Sequence, residues 1–285
     1  MKLDDRLAKL HPRPCAPQAV VYNDGMGVQA IEVQNLTKVY KNDFKAVDDI
    51  SFHVREGEFF GFLGPNGAGK STTMRMLSTL LKPTSGEVTI AGFKLGPQDD
   101  QIRRSIGFAM QGVTLDDMAS AWENLLLIGN LYGMSKQETQ SRAGELLNIL
   151  NLEKVADSWV KNYSGGMKRR LDLAAVLMHR PHILFLDEPT EGLDPAARRV
   201  IWQYLRDLNE QGTTIFLTTH FMHEADELCE RLSIIDNGKI IVTKSPKDLK
   251  AEAGGTLDDV FIHYTGHGIR DEDVGNKGVD PYIRS

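Results

Sequence analysis

The apolar positions of this chain change period along its length, and the changes mark its elements. From Ala30, Ile31-Glu-Val-Gln-Asn-Leu36 alternates apolar and polar residues as a half-buried strand does, and Ser51-Phe-His-Val54 repeats the alternation after a turn. The pair predicts an antiparallel β flap. Glu58-Phe-Phe-Gly-Phe-Leu63, Ser105-Ile-Gly-Phe-Ala-Met110, His182-Ile-Leu-Phe-Leu-Asp187 and Thr213-Thr-Ile-Phe-Leu-Thr218 are instead short, nearly continuous apolar runs, the mark of strands buried on both faces of a parallel sheet. Glu87-Val-Thr-Ile-Ala91 adds a further strand, and the core strands Leu232-Ser-Ile-Ile235 and Lys239-Ile-Ile-Val242 flank a hairpin turn, Asp236-Asn-Gly238. Between strands the period becomes helical: Met74, Leu77 and Leu81 share one face, as do Leu171, Ala174, Ala175 and Met178.

From residue 112 to about 162 the strand runs stop. Trp122 to Ile128, the N-cap Ser135 with Glu138 three residues later, and the apolar face of Ala143 to Leu152 predict an all-helical insertion. The insertion interrupts an α/β domain expected over residues 29–245. Residues 1–28, with Leu3, Leu7 and Leu10 spaced like one helix face before His11-Pro-Arg-Pro14, are expected to form an N-terminal extension. Residues 246–285 are expected to hold helices, one opened by Ser245-Pro246 and one over Leu257 to Tyr264, followed by a polar, Gly-rich tail.

The candidate chemistry falls at the ends of the apolar runs. Gly64, Pro65, Asn66, Gly67, Ala68, Gly69, Lys70, Ser71 match the phosphate-binding P-loop pattern, with Thr72 following, and lie between a strand and a helix as that pattern requires. The glycines let backbone N–H groups turn inward to form an anion nest at a helix N-terminus, Lys70 reaches the terminal phosphates, and Ser71 offers a hydroxyl to Mg²⁺. Ser164-Gly165-Gly166 opens a second helix bare of bulky side chains, so one chain holds two phosphate nests and a single lysine loop. Asp187 ends a buried strand where such enzymes hold Mg²⁺, and Glu188 stands beside it, placed to orient or deprotonate water. Gln111 and His220 end two further strands at the same sheet edge. His220 and His223 lack a third and fourth ligand nearby, so a phosphate sensor suits His220 better than a metal site. Tyr40, between the flap strands, is an aromatic that could stack on a base.

Composition narrows the partners. A net charge of −6 over 285 residues, with no Lys/Arg stripe interleaved with aromatics, argues against nucleic acid as the primary ligand. Cys15 and Cys229 are far apart and without metal-ligand spacing, as in a reducing compartment. No apolar run approaches the ~18 residues of a membrane helix, so membrane association is expected to come through a partner.

The order of these motifs resembles the ATP-binding-cassette ATPases over about residues 30–245. In that family's terms Tyr40 matches the adenine-stacking aromatic, Gly64 to Ser71 the Walker A loop, Gln111 the glutamine that contacts Mg²⁺, and Tyr163-Ser164-Gly165-Gly166-Met167 the signature. Asp187 is similar to the Walker B aspartate, Glu188 to the catalytic carboxylate, Gly192-Leu193-Asp194 to the D-loop and His220 to the switch histidine. The signature departs from its common form at Tyr163 and Met167, and Glu191 stands where a small polar residue is usual. Tyr163 to Ala175 and the segment Thr256 to Phe261 resemble the drug- and antibiotic-exporting branch typified by daunorubicin-resistance ATPases. The resemblance implies a P-loop (RecA-like) α/β core with an antiparallel β flap and an inserted helical subdomain, using ATP and Mg²⁺. It further implies a second ATPase subunit completing each site and a separate permease that holds the chain at the cytoplasmic face of the membrane, contacted through lobe positions such as Asp116 and Asp117. An importer's ATPase subunit, or a soluble cassette acting on ribosomes or DNA, are the rival readings.

Overall fold

The computed structural model describes residues 28–110, 115–266 and 268. The N-terminal extension up to residue 27, Gln111 and the tail beyond Gly266 (Gly268 excepted) lie outside the described residues. The chain builds two sheets. β1 (Gln29–Val39), β2 (Lys45–Arg55), β4 (Ser85–Ile90) and β5 (Phe93–Lys94) form an antiparallel sheet in the order β2-β1-β4-β5, the expected flap. β3 (Phe59–Leu63), β6 (Ile106–Ala109), β7 (Ile183–Asp187), β8 (Thr214–Thr219), β9 (Arg231–Asp236) and β10 (Lys239–Lys244) form the main sheet in the order β10-β9-β3-β8-β7-β6. Its strands run parallel except β10, which returns antiparallel along β9.

Strand parity explains why the main-sheet runs are apolar throughout. Phe60 and Phe62 of β3, Phe185 of β7 and Phe216 of β8 face the flap, where they meet Phe52 of β2 and the residues Met74, Met76 and Leu77 of α1 (Lys70–Leu77). Phe60 stands beside Phe216 in the parallel register, and the Phe62 and Phe216 rings lie 4.9 Å apart, inside the range of favourable aromatic pairing. The alternate residues Phe59, Leu63, Leu184, Leu186, Ile215 and Leu217 face the other way, into a core shared with helices. With protein on both sides, no strand position can be polar without a partner. Glu58, buried at the start of β3, has such partners: it accepts from Arg231 Nε at 2.8 Å and Arg55 N at 2.8 Å, tying the flap to the main sheet.

The lobe is helical as expected. After α2 (Asp99–Ser105), α3 (Ala121–Leu131) starts in a reciprocal capping box, with Glu123 N donating to Ser120 Oγ at 3.1 Å and Ser120 N to Glu123 Oε2 at 2.7 Å. Ser135 caps α4 (Lys136–Ile149). Leu125, Ala143, Leu146, Leu147 and Leu150 join these helices in the same core as α5 (Gly165–Val176).

The structure differs from the sequence expectations in four places. α1 stops at Leu77 rather than Leu81, because Thr79 enters the left-handed region at φ +67°. β10 is a half-exposed edge strand rather than a core strand, with Ile241 facing out. Following α6 (Pro195–Glu210), α7 (Met222–Leu228) forms directly after His220, its apolar positions too few to announce a helix. The C-terminal helices α8 (Pro246–Ala253) and α9 (Leu257–Thr265) are part of the main core: Leu249, Leu257, Val260 and Phe261 are buried with Ala225 and Leu228 of α7.

Candidate active site

The P-loop lies between β3 and α1. Ala68 O accepts from Gly238 N at 3.0 Å, and Gly238 O from Asp48 N of β2 at 2.8 Å, so the β9–β10 turn grips the loop and is itself tied to the flap. Gly69, the N-cap of α1, takes φ +102°, and a Cβ there would stand 2.5 Å from the Ala46 carbonyl oxygen. Only glycine fits that position. Lys70 is buried and curls back over the loop, its Nζ donating to Gly64 O at 2.8 Å and Pro65 O at 3.1 Å.

The ends of β7 and β8 supply the facing wall. Asp187 Oδ1 accepts from Thr218 Oγ1 at 2.5 Å and from Ser71 Oγ at 3.2 Å, which brings two oxygen donors of the expected Mg²⁺ set together. Such hard oxygens could hold Mg²⁺, with waters and substrate phosphate oxygens supplying the remaining positions. Glu188 is buried, with Oε1 3.3 Å from Lys70 Nζ and Oε2 3.1 Å from His220 Nδ1, the latter off the line of a hydrogen bond. Burial pushes the Glu188 carboxyl up, but the contact with His220 and the charge of Lys70 outweigh it and hold the group below its ordinary value. It is therefore an ionised base at neutral pH. Burial in turn pulls the Lys70 ammonium down, against the opposing pull of Glu188.

Lys70, Ser71, Asp187, Glu188 and His220 thus converge from three separate segments on one point at the C-terminal edge of the sheet. His223, the other half of the rejected metal pair, turns away and meets the Trp202 ring edge-on at 5.3 Å. Among the described residues no group of three or more His, Cys, Asp or Glu is placed to hold a metal ion. Tyr40 sits at the end of β1 before the turn Lys41–Asp43, its ring 5.5 Å from Lys38 Nζ. Replacing it by alanine should weaken ATP binding by about 1–3 kcal/mol, the range for base–aromatic stacking, with GTP weakened similarly. Unchanged affinity in a nucleotide titration would show that Tyr40 only packs.

Ser164, Gly165 and Gly166 lie elsewhere. Ser164 caps α5 by accepting from Met167 N at 3.2 Å and is exposed, and among the described residues no hydrogen bond joins these three to the P-loop. Nothing lies within 4 Å of where a Cβ on Gly165 would sit, so packing within the chain gives no reason for a glycine there. Asp194 caps α6 through bonds of 2.9 Å from Ala196 N and Ala197 N. Asp116 and Asp117, expected to face a partner, have bonds within the chain: Asp116 Oδ1 accepts from Met118 N, and Asp117 Oδ1 lies 2.6 Å from Lys168 Nζ. Sequence reasoning also missed Arg169, which in the run Lys168-Arg169-Arg170 has the pattern of a solvated face yet is buried behind Asp187 and Glu188.

A family model described as ABC transporter matches residues 47–191. The daunorubicin/doxorubicin resistance ATP-binding protein DrrA of Streptomyces peucetius is 43% identical over 235 residues, covering 82% of this chain and 71% of that relative. The Nod factor export ATP-binding protein I of Burkholderia thailandensis is 42% identical over 237 residues, covering 83% and 78%. Among solved structures, the ATP-binding cassette MJ0796, a dimer in a post-hydrolysis state bound to ADP and Pi, superposes with a TM-score of 0.70 at 33% identity over 75% of this chain and 98% of that one. The chain belongs to the ABC transporter family. It is an ATP-hydrolysing subunit of a transporter, with the cassette fold its motifs imply.

Proposed function

We propose that this chain is the ATPase subunit of an exporter of drug-like or lipid-like molecules, and that it works as a head-to-tail dimer of cassettes. The observation that carries the reading is the separation of the two nests. Lys70, Asp187 and Glu188 line one half of a phosphate site, while Ser164, Gly165 and Gly166 present an open helix N-terminus away from it. A second cassette brought up with opposite polarity would place its nest over this P-loop, and the bare surface at Gly165 leaves room for the close approach. ATP would then be held by Tyr40 at the base, by the N–H groups from Gly64 to Thr72 and Lys70 at the phosphates, and by the partner cassette's Ser-Gly-Gly. Mg²⁺, on Ser71, Asp187 and Gln111, would neutralise phosphate charge when bound. Glu188 would take the proton of the attacking water, and His220, beside it, would sense the γ-phosphate. Hydrolysis would release the closed dimer.

Among the described residues no helix is long and apolar enough to cross a membrane. On this reading force would pass to a separate permease at the cytoplasmic face. The inserted lobe, which we assign to about residues 112–162, is the contact. Leu127 and Leu131, one turn apart on α3, are 56% and 74% exposed, and Tyr132 and Met134, which follow α3, line a cavity of about 300 Å³ with Arg104, His179 and Arg180. Asp116 and Asp117, exposed on the same lobe, would belong to the same coupling surface. The names of the relatives, resistance to daunorubicin and export of Nod factor, favour export over import. The test is recovery of the chain from membranes in gentle detergent. A membrane protein should co-purify with the wild type, and Leu127→Glu with Leu131→Glu should lose it while basal ATPase persists. Retention of the partner by that double variant would overturn the assignment.

A further inference from the structure

The guanidinium of Arg169 lies where three motif segments meet. From α5, five residues after Ser164, it is 7% exposed, and its donors are spent on main-chain oxygens. Nε donates to Pro189 O at 2.8 Å, Nη1 to Met110 O at 2.6 Å, and Nη2 to Asp187 O at 3.2 Å and Glu188 O at 3.4 Å. Nη1 also pairs with the buried Asp172 Oδ2 at 3.3 Å. One side chain therefore bonds the strand end carrying Asp187 and Glu188, the last residue before Gln111, and the helix that opens with Ser164-Gly165-Gly166.

What it grips is strained. Glu188 has φ +48°, in the left-handed region that a non-glycine residue keeps only when its surroundings over-determine it. From the other side, Glu188 N donates to Thr218 O at 3.1 Å, with Thr218 Oγ1 also within 3.3 Å. The segment is clamped between β8 and Arg169, and its backbone sets where the Glu188 carboxylate points. We infer that Arg169 is a positioning residue that holds the Glu188 carboxylate in its working direction and ties that direction to the helix of the second nest. The demand is geometric. Four carbonyls in different directions need a planar fork of N–H donors, which arginine has and the single ammonium of lysine does not. The inference rests on the proposed role of Glu188 as the base.

The test uses the purified full chain and steady-state ATP hydrolysis. Arg169→Lys keeps the charge and should lower kcat about 10- to 100-fold, the cost of a misplacement on the order of an ångström, with KM for ATP within about twofold of wild type. Removing the arginine outright would strand buried Asp172, so the second variant is Arg169→Met with Asp172→Asn, which deletes both charges and should show the same kcat loss at unchanged KM. Asp172→Asn alone leaves every carbonyl bond of Arg169 in place and should hydrolyse ATP near the wild-type rate. ATP-induced dimerisation in a Glu188→Gln background should survive Arg169→Lys, since the nest itself is untouched. Wild-type kcat in both Arg169 variants would overturn this inference alone, as would a loss that appears in KM instead of kcat or an equal loss in Asp172→Asn. Wild-type turnover by Glu188→Gln would overturn both this inference and the reading it rests on.

Discussion

Glu188→Gln should lower ATP turnover by ~10²–10⁴, the usual contribution of a positioned acid–base group, while nucleotide affinity holds. The substitution keeps the size and one hydrogen-bonding oxygen but removes the charge and the proton acceptor. On the proposed reading phosphate binding would not depend on that carboxylate, because Lys70 and the loop N–H groups would hold the phosphates. Losing Glu188 frees Lys70 Nζ from an anion 3.3 Å away, so affinity has no reason to fall. Removing a negative group from beside the γ-phosphate also reduces repulsion in the closed state. The variant should therefore shift from monomer to dimer on sizing with ATP, and adding Ser164→Arg should abolish the shift, because a bulky side chain fills the open approach to the second nest. A dimer indifferent to Ser164→Arg would sink the two-nest mechanism, and wild-type turnover would remove Glu188 as the base.

The second large effect is on stability against pH and comes from His179, at the back of the cavity beside α3. Its Nε2 lies 2.8 Å from Ile106 O, and its ring stacks on Tyr132 at 3.8 Å with the planes 3° apart. Burial, helped by the nearby Arg142 charge, outweighs the hydrogen bond to Ile106 and pulls the imidazole from 6.5 to about 4. The folded chain thus binds this proton only near pH 4, whereas the unfolded chain binds it near 6.5. Between those values the unfolded state holds more protons, so stability is full above pH 6.5 and falls as pH drops toward 4. Each tenfold difference in proton affinity between the two states is worth about 1.4 kcal/mol, so the whole window amounts to about 3 kcal/mol, of which about 2 kcal/mol is lost between pH 7.5 and 5. His53 is also pulled down, by burial first and then by Arg231, and adds to the same trend. The contribution of His179 is therefore read as a difference: denaturant unfolding of His179→Gln should show a loss between pH 7.5 and pH 5 smaller than that of wild type by about 2 kcal/mol. Equal losses in the two proteins would mean that His179 takes up its proton at the same pH in the folded chain as in the unfolded one.

The sequence by itself determined most of what depends on neighbours along the chain. Strand runs, caps and the P-loop are local: Ser135 caps α4 three residues before Glu138, and the apolar parity of Phe59 to Leu63 already states that both faces of β3 are covered. Asp187, Glu188 and His220 were legible for the same reason, since each ends a recognisable strand and strand ends in a parallel sheet share one edge. Only the tertiary structure decided what depends on contacts far apart in sequence. Arg169, inside a basic run, is buried because carbonyls from Met110 and from Asp187 to Pro189 converge on it. Asp117 pairs with Lys168, 51 residues away in sequence. β10 is at an edge because no strand follows it in the sheet, and α8 and α9 join the main core because α7, itself too short to read, offers them an apolar face. Local patterning reports which side of an element must be covered, because burial of apolar area drives it. It does not report by what, because the partner is chosen by the packing of the whole chain.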